Sequence, residues 1–190
     1  GWFTLPLTVP NYLAGFVGKP VLPLDAPEVS AAIERVQKRT DALLNCGGTH
    51  RPEWFHRKLG DILYEGCGVA RDEAGLLDAL TKVRELREEF WRDVKVVGTG
   101  NRLNQELEKA GRVADFIELG EVMILDALDR RESAGAHFRN EYATEAGEAK
   151  RNDGDWCAVS AWETRPDGTK VRHSEPLSFS LIDLQVRDYR

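Results

Sequence analysis

Four stretches between residues 25 and 131 repeat apolar side chains at the three-to-four-residue spacing of an amphipathic helix. Helices that are apolar on one face and joined by short connections pack as an antiparallel bundle. We therefore predict a mainly α fold, an antiparallel helical bundle of three to four helices. The predicted helices run from Asp25 to Gly47, from Pro52 to Gly66 or Gly68, from about Asp72 to Val94, and from about Arg102 to Arg131.

The pattern changes after Ala134. Residues 140–155 are polar and are predicted to form a long loop, whereas residues 156–162, 170–173 and 177–186 are strand-like. The sequence Arg-Pro-Asp-Gly at residues 165–168 predicts a turn, because proline presets one dihedral angle and glycine accepts a positive one. A small strand-containing C-terminal tail is thus expected to follow the bundle.

Composition excludes some classes of function. The chain has 26 basic and 32 acidic residues and a net charge of −6, so a nucleic-acid partner is not expected. Its three cysteines indicate free thiols in a reducing compartment. No segment has the roughly 20 apolar residues of a membrane span. Residues 1–18 are apolar and uncharged, which favours a segment that packs against something outside this chain and a fragment of a longer polypeptide.

Three patterns could carry chemistry, and in each the structural interpretation is favoured. Gly98-Thr99-Gly100 resembles a dinucleotide-binding turn, but the third glycine is missing and a helix is predicted before it. Glu118 and Glu121 are expected to face water on the fourth helix. The third pattern is a possible zinc site, but the spacing of its four candidate ligands matches no standard zinc motif. These candidates are Cys46, His50, His56 and Cys67.

Residues 130–141 concentrate arginine, glutamate and histidine. Guanidinium groups bind carboxylates through two bonds, so the cluster could clamp a dicarboxylate. Alternatively, it closes the end of the long helix, where Arg130 and Arg131 meet the negative end of the helix dipole and Gly135 permits the turn. The structural alternative is favoured.

The segment from Arg131 to Arg139 also resembles a motif of a known family. Arg-Glu-Ser followed by His-x-Arg is similar to the Glu-Ser-Arg-Gly-x-His-x-Arg segment in the C-terminal region of succinate dehydrogenase, fumarate reductase and L-aspartate oxidase flavoproteins. The chain departs from it at Ala134, where arginine is usual, and at Tyr142-Ala143, where Tyr-Pro is common. These departures resemble a bacterial, non-mitochondrial-type branch. Further similar stretches are residues 55–60, 87–93, 103–108, 162–163 and 175–177.

The resemblance implies a subunit that interconverts succinate and fumarate at FAD. It implies three partners: a flavin-binding domain of the same polypeptide, an iron–sulfur subunit and, indirectly, a membrane anchor subunit. The location implied is the inner face of the cell membrane. The division implied is a segment leaving the flavin domain (1–24), a helical bundle (25–133) and a C-terminal loop and β-strand region (134–190).

In such proteins the flavin and substrate residues precede this region, so the chain alone is expected to be inactive. We expect no catalytic, cofactor-binding or metal-binding residue in it. The motif residues are expected to be structural; they are Arg131, Glu132, Ser133, Gly135, His137 and Arg139. Two alternatives stay open at this point, namely a stand-alone helical interaction module and the L-aspartate oxidase branch.

Overall fold

A computed structural model describes residues 1–2, 4–182 and 184–185. Its helices are α1 (Leu5–Ala14), α2 (Pro27–Asn45), α3 (Pro52–Gly66), α4 (Glu73–Asp93), α5 (Gln105–Asp129) and α6 (Asp153–Trp156). Its strands are β1 (Ala70–Arg71), β2 (Phe138–Arg139), β3 (Ala158–Thr164) and β4 (Lys170–Pro176). The predicted mainly α fold with a small strand-containing tail is confirmed.

The described residues divide into two compact units, one within residues 1–41 and one within residues 42–190. The first contains α1, which the periodicity did not predict, and most of α2. None of the described residues of α1 is buried, and the exposed fractions of Leu7 and Tyr12 are 67% and 69%. The domain boundaries after residues 24 and 133 stay a prediction.

The second unit is built on α3, α4 and α5. Lys58 of α3 pairs with Glu89 of α4 at 2.8 Å, and Gly66 at the end of α3 lies against Ala79 early in α4. Later residues of α3 therefore meet earlier residues of α4, and the two helices run antiparallel. Gly66 suits this crossing, because a Cβ there would lie 2.6 Å from that of Ala79.

Helix α5 returns antiparallel to α4. Arg84 lies 2.8 Å from Glu121 and Arg87 lies 3.4 Å from Glu118, so the residue order reverses between the two helices. The bundle is therefore up-down-up. Its core consists of buried apolar side chains from all three helices, among them Phe55, Leu59, Leu76, Val83, Leu86, Phe90, Val113, Ile117 and Ile124.

The prediction that both glutamates face water was wrong for Glu121, whose exposed fraction is 3%. Arg84 and Arg87 of α4 both reach its carboxylate and satisfy it away from water. Burial raises the pKa of Glu121, but the two guanidinium groups outweigh it and the pKa is lowered. A helix wheel cannot reveal such a partner, because the cations belong to a different helix.

Strands β3 and β4 form an antiparallel hairpin with the turn predicted at residues 165–168, where Gly168 has a φ of 84°. Two predicted strands are thus present with shifted ends. The third, over residues 177–186, was wrong for its described residues, which form no strand. None of these described residues pairs with a strand, so the alternating apolar residues join no ladder; Asp183 and Val186 lie outside the described residues.

The hairpin lies on α5. The indole Nε1 of Trp162 donates to Asp126 Oδ1 at 2.7 Å, and Lys170 Nζ donates to Glu118 Oε2 at 3.0 Å. Since an isolated two-stranded hairpin is marginally stable in water, these contacts with the helix stabilise it. Within the described residues, no helix has the length and apolar character needed to cross a membrane.

Candidate functional site

The motif predicted from the sequence wraps around the C-terminal end of α5. Among the residues that the structure describes, Arg139 is the largest fully buried side chain, with an exposed fraction of 2%. Its Nη1 donates to the carbonyl oxygens of Ala127 at 2.7 Å and Leu128 at 3.3 Å, and its Nε donates to Glu141 Oε2 at 3.1 Å. The last carbonyls of a helix have no partner within it, so Arg139 supplies one and places its charge at the negative end of the dipole.

A tight turn holds Arg139 in this position. Gly135 adopts a φ of 59°, which favours glycine, and Ala134 and His137 exchange two backbone hydrogen bonds across the turn, at 2.8 and 3.1 Å. The buried Ser133 hydroxyl accepts from the Arg139 amide at 2.8 Å and donates to its carbonyl at 3.1 Å. Residues 133–139, with the Ser-x-Gly-x-His-x-Arg spacing, therefore form a closed loop, and the Ser133 side chain holds its two ends together.

His137 lies at the same helix end. Its Nε2 donates to the carbonyl oxygen of Arg130 at 2.9 Å. Burial first, and then the charges of Arg71, Arg130 and Arg139, outweigh the hydrogen bond to the Arg130 carbonyl and lower the pKa of His137. A neutral imidazole with its proton on Nε2 suits this bond, and His137 acts here as a hydrogen-bond donor to the chain.

Glu132 is the buried acid of the motif, with an exposed fraction of 2%. Its Oε1 accepts from Nε and Nη2 of Arg130 at 2.9 and 2.6 Å, a two-bond contact. Its Oε2 accepts from the backbone amide of Asn152 at 2.8 Å. Glu132 therefore ties the end of α5 to the segment that leads into α6.

Glu141 connects the motif to α4. Its Oε1 accepts from the backbone amide of Glu73, the first residue of α4, at 2.5 Å. Burial raises the pKa of Glu141, but the hydrogen bonds from the Glu73 backbone and from Arg139 outweigh it and lower that pKa. The Arg139–Glu141 pair thus joins the C-terminus of α5 to the N-terminus of α4. Each side chain carries a charge opposite in sign to the partial charge of the helix end that it contacts, which is favourable.

This geometry differs from a carboxylate clamp. The guanidinium of Arg139 is buried and is bonded to two carbonyls and a carboxylate of its own chain, so it does not present a fork to solvent. Arg131 is exposed and lines a cleft with Glu121 and Trp162. The motif as folded is therefore arranged to join elements of this chain.

The zinc candidates lie in different places. The thiol of Cys46 donates to the Trp91 carbonyl at 3.5 Å, whereas the ring of His56 lies 5.6 Å from that of Phe116. Cys67 is buried, which raises the pKa of its thiol. Among the described residues no three histidine, cysteine, aspartate or glutamate side chains form a group that could hold a metal ion.

One polar cluster was missed by the sequence analysis. The side chain of Asp93, at the end of α4, accepts from the backbone amide and hydroxyl of Thr49 at 2.8 and 2.9 Å and pairs with His50 Nδ1. These hydrogen bonds, that of His50 first, lower the pKa of Asp93 to about 2. The imidazole stacks on Trp54 with a centroid distance of 4.0 Å. More than 40 residues separate its partners, so no local pattern signals it.

Comparison with known proteins identifies the family. The model of the family described as fumarate reductase flavoprotein C-term matches residues 56–189, well over half of the chain. The chain belongs to this family. It is 26% identical over 160 residues to the succinate dehydrogenase flavoprotein subunit of Bacillus subtilis, covering 84% of this chain and 26% of that protein. It is 28% identical over 114 residues to the fumarate reductase flavoprotein subunit of Haemophilus influenzae, covering 60% and 19%.

The fold is shared as well. A solved structure of E. coli quinol fumarate reductase superposes with a TM-score of 0.73 at 24% identity, covering 90% of this chain and 28% of that one. The flavoprotein C-terminal domain described here spans a fifth to a quarter of the length of its curated relatives. It is the C-terminal region of a succinate dehydrogenase/fumarate reductase flavoprotein subunit, and such subunits are oxidoreductases.

Proposed function

We propose that this region is the helical scaffold and subunit-contact part of an enzyme that interconverts succinate and fumarate with FAD. The observation that carries the proposal is the burial of the family motif. Arg139, Glu132 and Ser133 are each at most 2% exposed and are bonded to groups of this chain. Residues engaged in this way support a scaffold, and the hydride transfer belongs to the rest of the subunit.

The apolar helix α1 supports a contact with the flavin-binding domain. Residues 1–18 contain no charged side chain, and Trp2, Leu5 and Val17 are 87%, 60% and 84% exposed. A helix that is apolar on all sides is usually buried, and a large exposed apolar surface marks an interaction site. We infer that residues 1–24 pack against the flavin-binding domain of the same polypeptide.

The further partners follow from the relatives. Both relatives described above are flavoprotein subunits, a name that implies other subunits. We propose contacts with an iron–sulfur subunit and, through it, with a membrane anchor at the inner face of the cell membrane. FAD is proposed for the full subunit, and the region described here is proposed to bind none and to be inactive alone.

A substitution at Arg139 distinguishes a scaffold role of this residue from a role in the reaction. Arg139→Ala is introduced into the full subunit, with the exposed Arg131→Ala as the matched control. A scaffold role predicts that Arg139→Ala reduces co-purification with the iron–sulfur subunit while the flavin content per folded subunit is kept. Loss of succinate oxidation with normal flavin content and normal assembly would instead give Arg139 a role in the reaction. Flavin absorbance or succinate oxidation by the isolated 190-residue chain would contradict its proposed inactivity.

A further inference from the structure

The β3–β4 hairpin is attached to the bundle without sharing its hydrophobic core. Among the described residues, the core consists of side chains between residues 43 and 128, and no side chain of β3 or β4 belongs to it. Regions with few buried apolar contacts open locally at a lower free energy than the core. The polar contacts between the hairpin and α5 therefore determine how firmly the hairpin is held.

Three polar contacts of the described residues join the hairpin to α5, and in each the acceptor is a carboxylate of that helix. They are Trp162 Nε1 to Asp126 Oδ1 at 2.7 Å, Lys170 Nζ to Glu118 Oε2 at 3.0 Å, and Arg172 Nε to Asp129 Oδ2 at 2.8 Å. These three pairs are the docking contacts. Two of them are ion pairs, and the third is a hydrogen bond to an ionised group, so the attachment is electrostatic.

Two grooves flank the docking contacts. One has a volume of about 390 Å³ and is lined by Met123 of α5 and Val159 of β3. The other has a volume of about 610 Å³ and is lined by Leu125 and Leu128 of α5 and by the turn of the hairpin. The side chain of Trp162 lines both grooves. The hairpin therefore bridges open space on α5 and does not fill it.

Most of the charged groups in the docking contacts are accessible to salt ions. The side chains of Glu118, Asp129 and Arg172 are 46%, 42% and 28% exposed, and only that of Lys170 is largely covered, at 8%. Ion pairs with such exposure are weak, and salt screens them. The screening distance falls from about 10 Å at 0.1 M to about 3 Å at 1 M ionic strength, so concentrated salt weakens the attachment.

We propose that the hairpin is an electrostatically docked lid, which leaves α5 as a unit while the three-helix bundle stays folded. Opening joins the two grooves into one accessible surface along α5 and frees its carboxylates from their partners. Ionic strength shifts the balance toward the open state. Because an isolated two-stranded hairpin is marginally stable in water, the bonds between β3 and β4 also break once the hairpin leaves the helix.

Hydrogen–deuterium exchange of the full flavoprotein subunit, read by mass spectrometry, measures this opening. Peptides within residues 158–176 report the hairpin, and peptides within residues 105–129 report α5 in the same sample. We expect the hairpin amides to exchange at least about tenfold faster than the slowest amides of α5. Raising NaCl from about 50 mM to about 1 M should speed hairpin exchange about five- to tenfold relative to α5, because both ion pairs are screened.

Matched substitutions separate the docking contacts from charge in general. Lys170→Met removes the pair with Glu118, whereas Arg165→Met removes an exposed cation of the hairpin turn. Asp129→Asn removes the pair with Arg172 but leaves every bond within the hairpin, and the loss of a negative charge at the C-terminal end favours α5 itself. We expect Lys170→Met and Asp129→Asn each to speed hairpin exchange about threefold or more at low salt, and Arg165→Met to change it by less than about twofold.

Three results would overturn the lid. One is hairpin exchange as slow as that of α5, which means that the hairpin opens only with the whole unit. Another is hairpin exchange that is equal at low and high salt. The third is an effect of Asp129→Asn no larger than that of Arg165→Met. Thermal unfolding shows whether each variant keeps its bundle, and if Lys170→Met does not fold, Asp129→Asn alone provides the comparison.

Discussion

Replacing Arg139 with alanine provides the sharpest test of the helix-end brace. The change leaves the carbonyls of Ala127 and Leu128 without their donor and Glu141 without its buried cation. Hydrogen bonds to a charged group contribute about 1.5–3 kcal/mol each, and breaking a buried pair by removing one partner costs about 3–5 kcal/mol. Because the three bonds share one guanidinium, we expect the second range for the whole substitution and not the sum of the first.

The assay is urea unfolding of the 190-residue chain, followed by circular dichroism at 222 nm, together with thermal unfolding. A loss of about 3–5 kcal/mol corresponds to a fall in Tm of about 6–20 °C for a unit of this size. Arg131→Ala removes an exposed arginine of the same motif and is expected to change stability by less than about 0.5 kcal/mol. Arg139→Lys keeps the charge but loses the planar fork, so an intermediate loss is expected.

The reasoning would be refuted by a small effect. If Arg139→Ala loses less than about 1 kcal/mol with an unchanged urea dependence, the helix end does not depend on this side chain. A loss equal to that of Arg131→Ala would have the same meaning. A large loss in Arg139→Lys, comparable to that in alanine, would show that the two-carbonyl contact matters more than the charge.

Further predictions concern the packing of the bundle and its acid limit. Gly48→Ala should destabilise the chain by about 1–3 kcal/mol, because its Cβ would lie 2.0 Å from the Asp93 backbone. Gly60→Ala is the control: its Cβ would meet nothing within 4 Å, so it should stabilise α3 by about 0.5–1 kcal/mol. Urea unfolding measures both changes, and equal effects would contradict the contact at Gly48. Glu121→Gln should cost about 1–3 kcal/mol at pH 7. The folded pKa of Glu121 lies below 4.5, so its contribution to the free energy of unfolding is present above pH 4.5 and is lost as the pH falls through the folded pKa. The difference in stability between Glu121→Gln and the wild type should therefore shrink in acid. A constant difference from pH 7 to pH 3 would contradict this reasoning.

The helices could be predicted because their signals are local. Pro27 and Pro52 stand in the first turns of α2 and α3, and Asp72 caps α4 by accepting from the Gly75 amide at 2.8 Å. The long helix was predicted three residues too early, since the cap that starts α5 is Asn104. Each of these signals lies within about four residues of the boundary it sets, which is why the sequence alone contains it.

The features that were missed depend on residues far apart in the chain. The burial of Glu121 requires arginines 34 and 37 residues away, and the contact of His50 with Asp93 spans 43 residues. The strand predicted over residues 177–186 is absent from its described residues for the same reason, because a strand forms only by pairing with a second strand. Periodicity describes which side of an element is apolar and contains no information about which polar groups meet across the bundle.

The family motif shows how both kinds of information combine in one segment. Its spacing is local, since Gly135 makes the turn and Ser133 closes it onto Arg139. Its function in the fold is long-range, since Glu141 carries the connection to Glu73 at the start of α4. A short motif of this kind can be recognised from sequence while its role cannot be deduced from it, because charged residues alone fit a clamp for a ligand as well as a brace. Burial and hydrogen-bond partners favour the brace, and the same test applies to any Arg-rich motif at the end of a helix.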